Sequence, residues 1–135
     1  MKVEGQCHCG AIAFEAEAEP GSITVCHCVD CQRQSGAAFR VNISAPAASF
    51  RLLKGSPQTY VKTAASGNRR VLAFCANCGS PLYACAEHNP TAYSLRVGTL
   101  DQRHELGEPE RQIWTQRKLG WVELPAGVKT YDAQP

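Results

Sequence analysis

The stretch Cys7-His8-Cys9-Gly10, near the start of the chain, has a counterpart in Cys75-Ala76-Asn77-Cys78-Gly79. Each stretch brings two cysteines close together and ends in Cys-Gly. A glycine after the last cysteine permits the positive φ that a metal-binding turn often needs at that point. Four thiolates from two such turns make a closed tetrahedral site, which is the arrangement of a structural zinc ion. The predicted ligands of this structural Zn²⁺ are Cys7, Cys9, Cys75 and Cys78.

A third cysteine group, Cys26-His27-Cys28-Val29-Asp30-Cys31, places three sulfurs within six residues. Three protein ligands with one free position are typical of a catalytic zinc site, whose fourth place takes water or substrate. A thiolate-rich zinc favours a sulfur compound there, because soft donors match this centre, and the bound thiol loses its proton near neutral pH. We therefore predict an open zinc site at Cys26, Cys28 and Cys31, and two zinc ions per chain.

Two alternatives to an open zinc site follow from the same residues. A fourth protein ligand would close the site, and the candidates are Cys85, His27, His88, His104 and Asp30. Cys85 lies in a strand-like run, where a buried small apolar residue is expected, while His8 and His27 lie between ligands and are expected to point away from the metals. Eight cysteines also allow four disulfides, but these need an oxidising compartment, and the tight spacing favours metal binding.

Composition and charge limit the classes of function. With 135 residues, 44% of them apolar and 19% charged, the chain is expected to form one globular domain. The sequence has no apolar run long enough for a membrane helix and no apolar stretch of a signal peptide at its start, so we expect a soluble, cytoplasmic protein. Seven thiolates around two divalent ions would subtract three charges from the formal +2. The longest runs of basic residues are the pairs Arg69-Arg70 and Arg117-Lys118, so no nucleic-acid partner is expected.

Short runs separated by Gly, Pro, Asn and Ser predict a mainly β fold. Residues 29–35 are expected to form a short helical turn that ends at Gly36. Phe50–Leu53 and Thr59–Lys62 flank Gly55-Ser56-Pro57 and are predicted to form a hairpin. The other predicted strands are 11–16, 23–25, 38–43, 70–74, 81–86 and 92–97.

The last third of the chain has a weaker pattern. Residues 101–112 are polar and contain Gly107 and Pro109, so a surface loop is predicted there. The segment from Ile113 to Val122 contains both tryptophans, which are expected in the core or in the wall of a pocket. The predicted organisation is a single zinc-binding domain over residues 1–125 and a C-terminal tail over residues 126–135.

With C-x-C, C-x-C-x-x-C and C-x-x-C-G-S in this order, the chain resembles the glutathione-dependent formaldehyde-activating enzyme family, which includes centromere protein V-like proteins. The resemblance covers about residues 3–122. It also includes the segments Ser35-Gly36-Ala37, Phe50-Arg51-Leu52-Leu53-Lys54-Gly55, Ser66-Gly67-Asn68, Cys78-Gly79-Ser80-Pro81-Leu82 and Gly98-Thr99-Leu100-Asp101, and the late Trp121.

The resemblance implies a zinc-stabilised β-tent fold of several short antiparallel sheets, with the two sets of zinc ligands named above. It also implies a zinc-dependent carbon–sulfur lyase that joins the thiol glutathione and the aldehyde formaldehyde into S-hydroxymethylglutathione. Water or His27 would protonate the product oxygen, and an arginine would hold the glutathione carboxylates. The arginine candidates are Arg33, Arg40, Arg69 and Arg70. The alternatives are a protein that binds thiols without turnover and a zinc scaffold for protein interactions.

Overall fold

A computed structural model describes all residues from Met1 to Pro135. It confirms a mainly β fold, with two sheets, one α-helix and four short 3₁₀ helices. The helix α1 spans Val29–Ser35, as the sequence predicts. The strands are β1 (Lys2–Gln6), β2 (Ala13–Glu17), β3 (Ile23–Cys26), β4 (Arg40–Pro46), β5 (Arg51–Lys54), β6 (Gln58–Thr63), β7 (Arg69–Phe74), β8 (Pro81–Ala86), β9 (Ala92–Arg96), β10 (Pro109–Ile113) and β11 (Lys129–Thr130).

The smaller sheet has three antiparallel strands in the order β1-β2-β5. Its inner face alternates with period two, as in a half-buried sheet, and presents Val3 and Phe14, both fully buried. Gly5 is required beside Phe14, because a Cβ at residue 5 would overlap the phenyl ring. The sequence pattern does not predict β1, since its five residues include only one large apolar side chain.

The larger sheet has eight strands in the order β11-β10-β3-β4-β9-β8-β7-β6. Most neighbours are antiparallel, whereas β10 runs parallel to both β3 and β11. Ile43, Leu82 and Leu95 from this sheet are buried with Phe14 of the smaller sheet in one core. Burial of side chains this large stabilises the fold by about 1.5 to 3 kcal/mol each.

Two elements differ from the sequence predictions. The predicted hairpin is wrong: β5 pairs with β2 in the smaller sheet, while β6 pairs with β7 at the edge of the larger one. Gly55, in the turn between them, lies close to the backbone just before β2. A Cβ at residue 55 would overlap the carbonyl oxygen of Ala11. The predicted loop at 101–112 is also wrong in its last part, where β10 pairs with β3 despite its polar residues.

The two tryptophans have different environments. Trp114 lines a cavity, as the prediction of a pocket wall requires. Trp121, in contrast, is 75% exposed, so the prediction of a buried or wall position is wrong for this residue. The turn that begins with its neighbour Gly120 lies at the surface and leaves the indole uncovered.

The last residues are attached to the larger sheet. Beyond β11, the Trp114 N–H donates to the Ala133 carbonyl at 3.5 Å, and the Thr115 N–H donates to the Tyr131 carbonyl at 3.2 Å. The Trp114 indole donates to Oε1 of Gln134 at 3.3 Å. These contacts place Gln134 in the cavity wall. The seven-residue α1 is the only α-helix. The structure contains no candidate for a membrane-spanning helix.

Candidate metal centres and cavity

The four cysteines of the predicted structural site lie together. Cys7 follows β1 and Cys75 follows β7, so the ends of strands from different sheets meet here. The Sγ atoms of Cys7 and Cys9 are 3.6 Å apart, and those of Cys9 and Cys75 are 3.7 Å apart. All four sulfurs, including that of Cys78, lie within 4.8 Å of one another. The sequence prediction of one four-cysteine group is thus matched by the geometry.

Each cysteine pair of this group occupies a turn closed by glycine. The Gly10 N–H donates to the Cys7 carbonyl at 3.1 Å, and the Gly79 N–H donates to the Cys75 carbonyl at 2.8 Å. The φ values of the two glycines are 77° and 81°. This left-handed backbone is costly for residues with a Cβ, which explains why both turns end in Cys-Gly.

Polar groups of the protein lie within hydrogen-bonding distance of the sulfurs in this cluster. The Ile12 N–H donates to Cys7 Sγ at 3.3 Å, and the Ser80 hydroxyl lies 3.3 Å from Cys78 Sγ. The contact with Ser80, together with backbone N–H groups, lowers the pKa of the Cys78 thiol to about 5. Four convergent sulfurs with such partners fit a soft divalent cation such as Zn²⁺.

The second cluster is built around the start of α1. Cys26 is the last residue of β3, Cys28 is the N-cap of α1, and Cys31 lies in the first turn of the helix. Cys28 Sγ accepts a hydrogen bond from the Cys31 N–H at 3.3 Å. The three sulfurs lie within 4.8 Å of one another, and no histidine nitrogen or carboxylate oxygen joins them.

The three sulfurs are too close to be ionised independently. Hydrogen bonding to Cys28 raises the pKa of Cys26 far above its ordinary value, and the same contact lowers the pKa of Cys28 to about 2. A cation placed between the sulfurs would favour ionisation of all three, because a nearby opposite charge stabilises the charged form. This donor set also fits a soft divalent ion.

The other proposed fourth ligands lie elsewhere. Cys85 is buried in β8, where burial raises its pKa, in agreement with its reading as a small apolar residue. His88 and His104 are exposed. Asp30 is held by Lys62, whose Nζ donates to its carboxylate at 3.0 Å. His27 is fully buried.

The histidine between the ligands points into the protein interior. His27 Nε2 lies 2.9 Å from Oε1 of Gln112, whose amide nitrogen donates to Thr130, so the imidazole donates this hydrogen bond. The ring packs edge-on against Phe39, with a centroid distance of 5.7 Å. Burial lowers the pKa of His27, which favours the neutral form of the ring. It is not among the residues that line the cavity, and His8 is exposed beside the other cluster.

A cavity of about 700 Å³ opens beside the three-cysteine cluster. This volume is within the range of small-molecule sites in proteins. Its wall includes all three cysteines, Trp114, and Ala64, Ala65, Ser66 and Asn68 from the turn between β6 and β7. Trp114 has a φ of 59°, which is strained for so bulky a residue, and such strain is often found at functional sites.

The comparisons with known proteins agree with this geometry. A family model described as glutathione-dependent formaldehyde-activating enzyme matches residues 2–117. The chain belongs to this family. A relative from Halomonas elongata, provisionally named as a glutathione-dependent formaldehyde-activating enzyme, is 26% identical over 134 residues. The match covers 92% of this chain and 82% of that protein.

A solved structure has a similar fold. It is the crystal structure of a Rhodobacter sphaeroides protein from a structural genomics programme, with a TM-score of 0.60 and 25% identity. The similarity covers 78% of this chain and 96% of that one. The family match over residues 2–117 confirms the resemblance to the formaldehyde-activating family that the cysteine motifs carry.

The cavity of this family member is strongly basic. Five cationic side chains line it, against the single carboxylate of Asp30, and they are Arg40, Lys62, Arg70, Arg96 and Arg117. Of the four arginines that the sequence suggested, Arg40 and Arg70 are in the wall, whereas Arg33 and Arg69 are not. Arg69 is instead paired with Glu87 at 2.9 Å.

Sequence reasoning missed Arg96, Lys62 and Arg117. The period-two alternation of the predicted strand at 92–97 could have identified Arg96, because it places that residue on the face opposite the core residue Leu95. In the structure Arg96 is buried, and its Nη1 donates to Oδ1 of Asn42 at 2.7 Å. Burial, followed by the nearby charge of Arg40, lowers the pKa of Arg96 to about 9.

Proposed function

We propose that the protein is a zinc-dependent carbon–sulfur lyase that forms and cleaves the adduct of a thiol, such as glutathione, with an aldehyde, such as formaldehyde. The observation that carries this proposal is the three-cysteine cluster in the wall of a basic cavity, with no fourth protein ligand beside it. Membership of the formaldehyde-activating family supports the choice of thiol and aldehyde.

The two cysteine clusters have different proposed roles. Cys7, Cys9, Cys75 and Cys78 hold a structural Zn²⁺, and the three ligands of a second Zn²⁺ are Cys26, Cys28 and Cys31. The second ion would supply Lewis acidity that keeps a bound thiol as its thiolate. We thus propose two zinc ions per chain, in one zinc-binding domain over residues 1–125 with the tail of residues 126–135 packed against it.

The proposed reaction is balanced without a redox partner. The thiolate sulfur attacks the aldehyde carbon, the carbonyl π bond breaks, and the resulting oxyanion receives the proton that the thiol lost. The chain contributes a cavity with cationic walls, which lower the energy of negative charge as it develops on the oxygen. His27 is buried against Gln112 and Phe39, so water from the open cavity, rather than His27, is the proposed proton carrier.

We further propose a reducing location such as the cytoplasm. All eight cysteines are free, with no disulfide among them, and seven of them belong to the two clusters. Free thiolate ligands persist in reducing compartments, whereas oxidation would remove the ligands of both clusters.

The test measures binding and exchange separately. The chain is loaded with Co²⁺, and glutathione is added while the sulfur-to-cobalt absorption is followed. We expect a further absorption change that saturates with glutathione. The zinc-loaded protein should then accelerate exchange between formaldehyde, glutathione and S-hydroxymethylglutathione, as measured by NMR exchange spectroscopy against protein-free buffer. Binding without acceleration would favour the alternative of a thiol-binding protein without turnover, and no binding would contradict the proposal.

A further inference from the structure

Two buried arginines in the cavity wall have no carboxylate partner. Arg40 and Arg96 are only 6% and 7% exposed, and the Nε atom of each has no hydrogen-bond partner. Arg40 lies on β4 opposite Cys26 of β3, and Arg96 lies on β9 opposite Asn42 of β4. The two guanidinium groups therefore lie on adjacent strands, beside the three-cysteine cluster.

This arrangement is costly for the protein alone. Burial of a charged group without a partner is strongly unfavourable, and here two like charges are buried on adjacent strands. No salt bridge includes either arginine, and the one carboxylate of the wall, Asp30, is already bound to Lys62. Buried charges are normally paired, and these two guanidinium groups have no carboxylate partner within the chain.

The sulfur cluster does not supply enough negative charge. Three thiolates around one divalent cation leave a single negative charge. Against it stand Arg40, Arg96 and also Arg70, whose charge acts on Arg96. At least one further anionic group is needed when the site is fully charged, and the cavity beside the arginines has room for it.

We propose that Arg40 and Arg96 bind a carboxylate of the incoming thiol, so that the cavity selects thiols that carry a carboxylate over neutral thiols. The planar guanidinium group suits this role because it donates two parallel hydrogen bonds to a carboxylate. This inference rests on the proposed function, since it assumes that the sulfur of the same ligand is held at Cys26, Cys28 and Cys31.

The test uses the zinc-loaded full chain and calorimetric titration with three probes. Glutathione has a thiol and two carboxylates, glutathione diethyl ester keeps the thiol but has no free carboxylate, and S-methylglutathione keeps the carboxylates but has no free thiol; all three keep the same amino group. In Arg40→Gln and Arg96→Gln, glutathione and S-methylglutathione should each bind about 10- to 100-fold more weakly, which is the loss of one or two charge-assisted hydrogen bonds. The diethyl ester should bind the wild type and both variants within about twofold.

Arg33→Gln is the matched control. Arg33 is on α1 two residues from Cys31, is exposed, and is outside the cavity wall, so its substitution removes the same charge near the cluster. It should leave all three affinities unchanged. Circular dichroism and zinc content verify that each variant is folded and loaded. If a glutamine variant does not fold, Arg40→Lys and Arg96→Lys keep the charge and remove the paired donors, and they should show the same selective loss.

Three outcomes decide the inference. Equal weakening of glutathione and its diethyl ester, or loss of zinc, would show that the arginines only balance the charge of the sulfur cluster, and would overturn it. Unchanged binding in all variants would also overturn it. If S-methylglutathione binds in an arginine-dependent way while neither free thiol changes the cobalt spectrum, the carboxylate site is supported and the proposed thiol chemistry fails.

Discussion

Both cysteine clusters offer sulfur as the ligand atom, but they differ in the number of sulfurs and in what surrounds them. The cluster of Cys7, Cys9, Cys75 and Cys78 has four sulfurs from two glycine-closed turns, and it joins the ends of strands from both sheets. The cluster at Cys26, Cys28 and Cys31 has three sulfurs from one short segment and faces a cavity.

The charged residues near each cluster differ in the same way. In the smaller sheet, whose first strand ends next to Cys7 of the four-cysteine cluster, the Glu15 carboxylate binds both Lys2 at 3.0 Å and Arg51 at 2.6 Å. In the cavity, Arg40 and Arg96 are buried with no carboxylate partner. The Glu15 carboxylate, which has two cationic partners, is therefore expected to provide stability, and the cavity, whose buried arginines lack a carboxylate partner, is expected to bind a ligand.

The largest expected effect is in Cys78→Ser. A structural zinc ion contributes about 10 to 16 kcal/mol in zinc-finger peptides, which is comparable to the whole stability of a typical domain. We expect the variant to be unfolded at 25 °C, as measured by circular dichroism, and to retain little zinc. The control is Cys85→Ala, because Cys85 is buried outside both clusters. It should lose roughly 1 kcal/mol and keep both metals. A folded Cys78→Ser protein would contradict the structural role.

Cys28→Ser should leave the chain folded and remove thiol binding. Cys28 accepts the capping hydrogen bond at the start of α1, and serine is a good N-cap residue, so the helix should persist. Bound zinc should fall from about two ions to about one per chain, as two cysteine ligands alone hold zinc weakly. Metal analysis and the cobalt titration with glutathione measure the two effects. If this variant unfolds as Cys78→Ser does, the division between the clusters is wrong.

The cysteine groups were predictable because their geometry is local. Cys26, Cys28 and Cys31 converge through a strand end and one helical turn, and the repeated Cys-Gly ending indicates which distant pairs share a turn type. The strand pairing was less predictable. β5 and β6 are separated by a turn typical of hairpins, yet they join different sheets because Gly55 packs on Ala11, a contact 44 residues away in the sequence.

The cavity wall was only partly predictable, because it is assembled from many elements. Arg40 was a candidate through its closeness to the cysteines in sequence, whereas Arg96 is 65 residues beyond Cys31. The polar side chains of β10 predict a loop. The segment forms a strand because its backbone pairs with β3. Arg111 of this strand donates to the Thr24 hydroxyl at 3.0 Å, a contact that only the tertiary structure determines.

A smaller effect is expected when the glycines beside the clusters are replaced. Gly79 closes a turn of the four-cysteine cluster, and Gly36 ends α1 after the three-cysteine cluster. Both have positive φ, and a Cβ at either would meet no atom within 4 Å. Gly79→Ala and Gly36→Ala should each cost about 1 to 2 kcal/mol from backbone strain.

The two alanine variants should differ in how they hold zinc. Only Gly79→Ala should speed zinc removal from the four-cysteine cluster. Alanine keeps the N–H, but the strain at residue 79 would weaken the hydrogen bond that closes the turn on the Cys75 carbonyl. Thermal unfolding and the rate of zinc transfer to a chelator are the measurements. Equal zinc-transfer rates in the two variants would argue against a role of the Gly79 turn in metal retention.

The smallest expected effect concerns the paired charges of the smaller sheet. Hydrogen bonding to Lys2, and then to Arg51, lowers the pKa of the Glu15 carboxyl. A carboxyl whose pKa is lower in the folded state stabilises the fold above its unfolded pKa of about 4.3, and this contribution is lost as the pH falls through the folded pKa. Glu15→Gln should therefore be less stable than the wild type at pH 7, with a difference that shrinks below about pH 4. The difference between the two proteins is the quantity to compare in urea unfolding, because acid also protonates the cysteines in both.

Glu19→Gln removes an exposed carboxylate that forms no salt bridge, and it should show no such trend. A Glu15→Gln difference that stays constant from pH 7 to pH 3.5, or that is insensitive to added salt, would mean that pairing contributes no stability on this side of the molecule.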